Sequence, residues 1–313
     1  MTVTWDDEID AIIAGDLTGG LGYRTPAGGV VVQSVAPVGL RDRTAGTIAF
    51  TTSLGLSKKL ERIERDDRVS MAYHAREHGL AGDAPQYVLV EGRATIVAEP
   101  TQAERDEVRD QAAIHLGKAA AGFFWDRWLR EYYEIRVPVR IAVERIVVWP
   151  DLRCAGQPRV LGAPLPPDPA PQRAPKKGTR PRIDMAKAAK RIRRAEHVLL
   201  GFGGGDGFPV VLPVRPAASG DEGVVLACDA PLPPGGRRAG LLAHSYRPKL
   251  VGITTRQYTG WLEVGEDGRA LYAPHTEAGY AAPPFKPLLL LLNGAVAKKG
   301  VRAMRRKTSA GSS

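Results

Sequence analysis

Short apolar runs, many alternating with polar residues, dominate the first half of the chain and predict β-strands. The predicted strands are residues 20–25, 29–37, 46–53, 68–75, 86–98 and 133–149. Helices are predicted between them at residues 5–14, 56–66 and 101–120. Thr101 and Glu104 have the spacing of a capping box at the start of the last helix. The first half is therefore predicted to be a β-domain with a few flanking helices.

The second half of the chain repeats the opening pattern at a constant offset of 179 residues. Leu21-Gly22-Tyr23 recurs as Leu200-Gly201-Phe202. Four later positions recur at the same offset: Val31, Val32, Val35 and Pro37 as Val210, Val211, Val214 and Pro216. Such an ungapped repeat is hard to obtain by chance. The predicted fold class is mainly β (α+β), with two tandem β-barrels and a few flanking helices.

The second copy continues with elements that follow the same order as the first. Its predicted strands are residues 197–203, 208–215, 223–229, 249–255, 259–265 and 269–273. Its predicted helices are residues 184–196 and about 236–246. The Gly-rich stretch 203–207 lies between two strands and is not followed by a helix, so it is interpreted as a hairpin turn and not as a nucleotide loop.

The composition between the two copies marks the domain boundaries. Residues 158–181 contain eight prolines, a composition that favours extended conformations over a packed core. We therefore expect a first domain at 1–152, a Pro-rich basic linker at 153–182, a second domain at 183–282 and a basic tail at 283–313.

The net charge of +10 is concentrated in two short segments. Residues 176–194 carry a net charge of +8 and residues 298–307 carry +6, so the rest of the chain is slightly acidic. Such segments can bind RNA, DNA, anionic lipid or a polyanionic cofactor, or they can be solvated without binding a partner. No aromatic residue is interleaved with either run, so nucleic acid is the less favoured partner.

Several patterns bear on the cellular setting of the protein. Cys154 and Cys228 are the only cysteines and fall in different predicted parts of the chain, so no disulfide framework is expected. The first residues are acidic and lack an apolar core, and the longest apolar run has five residues. We therefore expect a cytoplasmic protein without a secretory signal, a membrane span or a membrane partner.

The candidate chemistry is centred on the third strand and the helix after it. The strand ends in Thr51, Thr52 and Ser53, and the helix begins with Ser57, Lys58 and Lys59. Hydroxyls, the free N–H groups of a helix start and ammonium groups together favour an anion. A phosphate group is the expected ligand.

The same stretch resembles the pyridoxamine 5'-phosphate oxidase-like proteins, a superfamily of split β-barrels that bind FMN or the deazaflavin coenzyme. The matching positions are Ser57, Lys59, Ile63, Asp66, Arg68, Val69, Tyr87, Val88, Val90 and Gly92. Asp67 departs from the pattern, because the family usually has proline there. The resemblance implies that Thr51, Thr52, Ser57 and Lys59 anchor the phosphate and ribityl groups, with Lys58 beside them. It also implies that Ser34, Val35 and Pro37 on the second strand line the cofactor ring.

The second copy lacks the Ser-x-Lys pattern. Counting back from Leu250 places Gly240 where Lys59 would stand, with Arg237 and Arg238 just before it. We interpret this as a lost phosphate site or as one rebuilt around arginines. His244 and His275 are further candidate contacts to substrate or to the other barrel, although satisfied structural histidines are the plainer interpretation. No metal site is assigned.

The function implied by the resemblance is hydride transfer to or from a small organic substrate by a flavin- or deazaflavin-dependent oxidoreductase. Because such proteins usually dimerise with the cofactor between barrels, a fused pair can act as its own pseudo-dimer. One alternative is a non-catalytic barrel pair that sequesters a cofactor or a haem-like ligand. Another, less favoured, is nucleic-acid binding through the basic segments.

Overall fold

The structure is a computed structural model that describes residues 2–53, 57–117 and 136–283. The predicted basic tail from residue 284 onward lies outside these ranges. Within them, no helix is both long enough and apolar enough to cross a membrane.

The described residues of the first half form eight strands and three helices. They are α1 (Asp7–Gly15), β1 (Gly19–Arg24), β2 (Val30–Val35), β3 (Arg41–Asp42), β4 (Thr47–Ser53), α2 (Ser57–Arg65), β5 (Arg68–Tyr73), β6 (Tyr87–Ile96), α3 (Gln102–Leu116), β7 (Arg136–Trp149) and β8 (Arg159–Gly162). The capping box predicted for α3 is confirmed, because the Thr101 hydroxyl accepts from the Glu104 backbone N–H and the Glu104 carboxylate accepts from the Thr101 N–H.

The described residues of the second half, which end at 283, form one α-helix, one short 3-10 helix and seven strands. They are α4 (Met185–Arg194), β9 (His197–Gly203), β10 (Pro209–Pro213), β11 (Arg215–Gly220), β12 (Gly223–Ala227), β13 (Gly235–Ser245), the 3-10 turn Pro248–Leu250, β14 (Thr254–Val264) and β15 (Ala270–Ala281). The turn between β9 and β10 is the predicted hairpin, closed by a hydrogen bond from the Gly204 N–H to the Phe208 carbonyl.

Both halves form a curled antiparallel sheet with the same strand order. The first sheet runs β2-β1-β5-β6-β7-β4-β3, with β8 added beside β7, and the second runs β10-β9-β13-β14-β15-β12-β11. A bulge recurs at the same point: β7 has an extra residue opposite Glu91 and Gly92 of β6, and β15 has one opposite Thr259 and Gly260 of β14. The fold class predicted from the repeat, two tandem barrels, is confirmed.

The predicted helix at about 236–246 is wrong, because these residues form β13. Its run Leu241-Leu242-Ala243 has good helix propensity and no polar alternation. However, β13 is hydrogen-bonded along one edge to β9 and along the other to β14, and most of its residues are buried. A strand with two partners and two covered faces gains more from pairing than its local propensity favours a helix.

The two barrels pack against each other through reciprocal contacts between equivalent residues. A Cβ atom placed on Gly22 would lie 2.8 Å from Val211 Cγ2, and one placed on Gly201 would lie 2.3 Å from Val32 Cγ2. Gly22 and Gly201 are equivalent in the repeat, as are Val32 and Val211. One buried cluster joins residues of both halves, and Tyr87 Oη donates to the Val211 carbonyl at 2.7 Å. The interface is isologous, like that of a two-fold homodimer.

Charged groups of the first barrel also hold the β9–β10 hairpin. Arg145 is buried on β7 and forms ion pairs with Glu91 on β6 and with Asp206 on the hairpin. Arg24 Nη1 donates to the Gly207 carbonyl and Arg68 Nη1 to the Asp206 carbonyl, each at 3.1 Å. Burial raises the pKa of Glu91 to about 7, and the opposing effect of the Arg145 cation offsets only part of this rise. The hairpin is therefore fixed by three arginines of the other barrel.

Candidate functional site

The junction of β4 and α2 brings together three of the predicted phosphate ligands. Thr51 and Thr52 end β4 opposite Pro138 and Val137 of β7, and they are 7% and 3% exposed. Lys59, in the first turn of α2, is 5% exposed, and its Nζ lies 5.5 Å from the centre of the Phe50 ring. A buried lysine beside buried hydroxyls is uncommon unless an anion or another polar group meets it.

The hydroxyl group of Thr52 is the most informative feature of this junction. Its Oγ1 is buried and has no hydrogen-bond partner among the described residues. An unsatisfied buried hydroxyl costs roughly 1–3 kcal/mol, so a ligand oxygen at this point would remove that penalty. Ser57 is the first residue of α2, but its side chain lies outside the described part, as do residues 54–56. Lys58 is exposed on the outer face of the helix.

The predicted ring-lining residues lie on β2 or, for Pro37, just after its end. Ser34 is half-buried opposite Gly20, whereas Val35, opposite Gly19, and Pro37 are buried. Their strand, β2, packs against β13 and β14 of the second barrel, and a Cβ on Gly240 would lie 2.5 Å from the Val30 carbonyl oxygen. β2 and β4 are not hydrogen-bonded neighbours, so the two predicted sets belong to separate parts of the barrel wall.

Strand register identifies the residues that occupy the Thr51 and Thr52 positions in the second barrel. Gly92 and Gly260, which lie next to the two bulges, pair with Val143 and Pro274, respectively. This makes β7 and β15 equivalent. Ile48 on β4 and Val224 on β12 then pair with equivalent residues, Ile141 and Tyr272. Three and four residues further along, Ala227 and Cys228 stand in place of Thr51 and Thr52. β13 begins soon afterwards, so residues 183–283 contain no counterpart of α2 or of Lys59.

Arg237 and Arg238 bind the Pro-rich segment. Arg237 is 1% exposed and donates to the carbonyls of Pro169, Pro233 and Pro234. Burial lowers its pKa. The backbone N–H and guanidinium of Arg238 donate to the Gln172 side chain, and the guanidinium lies 6.0 Å from the Trp261 ring centre. Their role as ligand contacts stays a prediction.

His244 lies in a histidine cluster that sequence reasoning missed. His74 Nε2 and His244 Nε2 are 2.8 Å apart, and the His197 ring lies 5.4 and 5.2 Å from theirs. His74 Nδ1 is 3.2 Å from the Ala72 carbonyl and must donate to it, so His74 Nε2 accepts a hydrogen bond from His244 Nε2–H. His244 Nδ1 is buried and has no hydrogen-bond partner within the described part of the chain. Both rings are therefore neutral in this arrangement.

The electrostatics of the cluster agree with neutral rings. Burial, and then the neighbouring histidines, hold the pKa of His74 well below its usual range. Burial, with His197 second, lowers the pKa of His244 to about 3. Glu77 lies 3.3 Å from His197 Nε2, and its hydrogen bond to His197 lowers its pKa to about 2. Register shows why the rings meet: His74 and His244 follow equivalent residues of β5 and β13.

His275 is half-buried, and its Nε2 lies 3.3 Å from the Thr179 carbonyl of the Pro-rich segment. Its pKa is lowered, chiefly by burial. Across the described ranges, no group of three or more His, Cys, Asp or Glu residues is arranged to hold a metal ion. His275 therefore lies beside the Pro-rich segment and away from the histidine cluster.

The surface cavities formed by the described residues include two of moderate size. The larger, about 360 Å³, lies between β3, β4, β7 and α3, with Arg41, Glu104 and Arg140 among its charged walls. The smaller, about 210 Å³, lies between α2 and the β1–β2 turn and is lined by Arg24, Arg62, Arg65 and other residues. Neither is lined by Thr51, Thr52 or Lys59.

The strand order and the single β4–α2 junction define a tandem split-barrel protein. No family model and no curated protein matches the chain. Among solved structures it is similar to the conserved hypothetical protein Rv2991 from Mycobacterium tuberculosis, at 25% identity over 49% of this chain and 89% of that one, with a TM-score of 0.37.

Two further structures resemble it at lower identity. One is a Clostridium acetobutylicum protein described as belonging to the pyridoxinephosphate oxidase family, with 8% identity over 50% of this chain and 95% of that one, and a TM-score of 0.34. The other is an F420 reductase, with 19% identity over 44% of this chain and 94% of that one, and a TM-score of 0.31. With TM-scores this low, the fold class rests on the strand order described above.

Proposed function

We propose that the first barrel binds FMN or the deazaflavin coenzyme and that the chain acts as a cofactor-dependent oxidoreductase on a small organic substrate. One observation carries the proposal: buried Thr51, Thr52 and Lys59 lie at the β4–α2 junction, where the Thr52 hydroxyl has no hydrogen-bond partner among the described residues. A phosphate oxygen would satisfy that hydroxyl, and the Lys59 ammonium would offset the phosphate charge.

Each residue has a defined part in this proposal. Thr51, Thr52 and Lys59 hold the phosphate, with Ser57 and Lys58 beside them, while Ser34, Val35 and Pro37 shape the wall at the ring. Bound there, the cofactor supplies hydride transfer at its own ring, so no side-chain nucleophile is required. The buried histidines lie outside this set, and no catalytic side chain is assigned.

The second barrel acts as a wall and not as a second site. Ala227 and Cys228 offer no hydroxyl where the first barrel has Thr51 and Thr52, and no helix follows β12. The expected stoichiometry is one cofactor per chain, with residues 1–152 as the binding domain and 183–282 as its structural partner. The pair then functions as a pseudo-dimer within one chain.

The test is a titration of the purified full chain with FMN and, separately, with the deazaflavin coenzyme, followed by fluorescence and visible absorption. We expect one of them to bind at micromolar or lower Kd and at one equivalent per chain. Lys59→Ala should weaken binding about tenfold or more, because a charge-assisted phosphate contact is lost. Thr52→Val, which keeps the shape of the side chain, should weaken binding about fivefold or more.

Arg65→Ala is the matched control, since it removes a cation from the exposed far end of the same helix. It should leave the Kd within about twofold of that of the unaltered protein. If neither cofactor binds, the proposal fails. If a cofactor binds, but no nicotinamide donor reduces it and the dithionite-reduced cofactor passes its electrons to no acceptor tested, the non-catalytic binding protein is the better description.

A further inference from the structure

The basic segment at residues 173–194 holds an unusual number of unpaired cations. Ten lysines and arginines share it with one acidic residue, Asp184. Lys187 pairs with Asp184, and Arg191 pairs with Glu277. Eight remaining cations are exposed and form no ion pair among the described residues: Arg173, Lys176, Lys177, Arg180, Arg182, Lys190, Arg193 and Arg194. Their mutual repulsion has no internal compensation.

Backbone contacts fix the path of this segment across the second barrel. The Gln172 N–H donates to the Gly236 carbonyl at the start of β13, and the Arg182 N–H donates to the Pro274 carbonyl of β15. α4 follows, with Asp184 capping its start, and its buried residues Ala188, Ala189 and Ile192 face the barrel. A solubilising linker has no need of this anchoring. The cations are thus presented on a fixed surface.

The chemistry of this surface distinguishes among polyanions. The apolar face of α4 is buried against the barrel, so the helix cannot insert it into a lipid layer. No aromatic residue lies between 173 and 194, so single-stranded bases would find no stacking partner. A nucleic-acid duplex requires neither an apolar face nor an aromatic stacking partner. It carries about one negative charge per 1.7 Å of its axis, and cations that contact its phosphates are enough to bind it.

We propose that residues 173–194 bind the phosphate backbone of a nucleic-acid duplex independently of base sequence. This function is separate from the cofactor site on the first barrel and does not depend on it. If about five of the eight cations meet phosphates, the logarithm of the affinity should fall with the logarithm of salt concentration with a slope of about −4.5. Between 50 and 200 mM salt the affinity should then fall roughly 500-fold.

The experiment is fluorescence anisotropy of a labelled 20-base-pair DNA duplex of arbitrary sequence with the full chain, over a range of salt concentrations. The test variant replaces Lys176, Lys177, Arg180, Lys190 and Arg194 with glutamine. The control variant makes the same charge change at five exposed arginines elsewhere: Arg65, Arg105, Arg109, Arg247 and Arg269. Circular dichroism checks that both variants remain folded.

We expect the test variant to lose most of the affinity and of the salt slope, and the control variant to keep most of both. Equal losses in the two variants would show that net charge alone is responsible and would overturn the proposal. Unchanged binding in the test variant would also overturn it, by placing the contact elsewhere in the chain. Tighter binding to phosphatidylserine vesicles than to the duplex would assign the surface to membranes instead.

Discussion

The histidine pair at the barrel interface makes a quantitative prediction about acid stability. The pKa of His244 falls from 6.5 to about 3 in the folded chain because of burial, so the unfolded chain binds its proton more readily. Stability from the neutral ring is therefore fully present above pH 6.5 and is lost as the pH falls from 6.5 toward 3. At pH 5 the loss from His244 amounts to about 2 kcal/mol. His74 acts in the same direction.

The assay is urea unfolding at pH 7.5 and pH 5 for the unaltered chain and for His244→Gln. The glutamine amide can still donate to His74 but does not titrate in this range. We expect the free energy of unfolding of the variant to change between the two pH values by about 2 kcal/mol less than that of the unaltered chain. Asp16 and Glu91, whose pKa values burial raises to about 7, act in the opposite sense, but they are common to both proteins.

His78→Gln is the control, because His78 is exposed and makes no hydrogen bond to the pair. Its pH dependence should match that of the unaltered chain. If His244→Gln keeps the full pH dependence as well, the ring is not neutral and buried in solution, and the assigned tautomers are wrong. The comparison needs only the difference between proteins, so errors of extrapolation to zero urea largely cancel.

Two further changes test a contact between the barrels and the buried ion pair next to their interface. Gly201→Ala places a methyl group 2.3 Å from Val32 Cγ2 and should lower the free energy of unfolding, measured by urea titration, by about 1–3 kcal/mol. The control Gly220→Ala, which has open space around it, should lower that free energy far less. Arg145→Met leaves Glu91 buried without its cation and should cost about 3–5 kcal/mol. The double change Arg145→Met with Glu91→Leu should recover most of that loss, and a double variant no more stable than the single one would contradict this account.

The sequence was sufficient to predict the fold class because the repeat extends across the first two strands without a gap. Beyond them the offset changes: it is 179 at β1, 176 at β4, 170 at β5 and 168 at β6. The second barrel has lost α2, so a search at one fixed offset cannot align β5 with β13. That loss also explains the wrong helix at 236–246, since a helix was expected where the first copy has one.

The candidate site was predictable only as far as its residues are local. Thr51, Thr52 and Lys59 stand within nine residues of each other, and one strand and one helix bring them together. His74 and His244 are 170 residues apart and meet only because the two barrels pack about an approximate two-fold axis. The pair shares equivalent positions in the repeat, so an alignment allowing for the lost helix would have revealed it.

The covalent link between the two barrels changes the concentration dependence of their association. Two separate subunits come apart on dilution, whereas tethered partners meet at an effective concentration set by the connecting chain. Here the connection is itself bound along its length, through Arg237 and Arg238. Assembly of the barrel pair is therefore unimolecular and should be as complete at nanomolar protein as at millimolar. In a homodimer every substitution appears on both sides of the interface. In this chain a substitution in one half leaves the sequence of the other half unchanged.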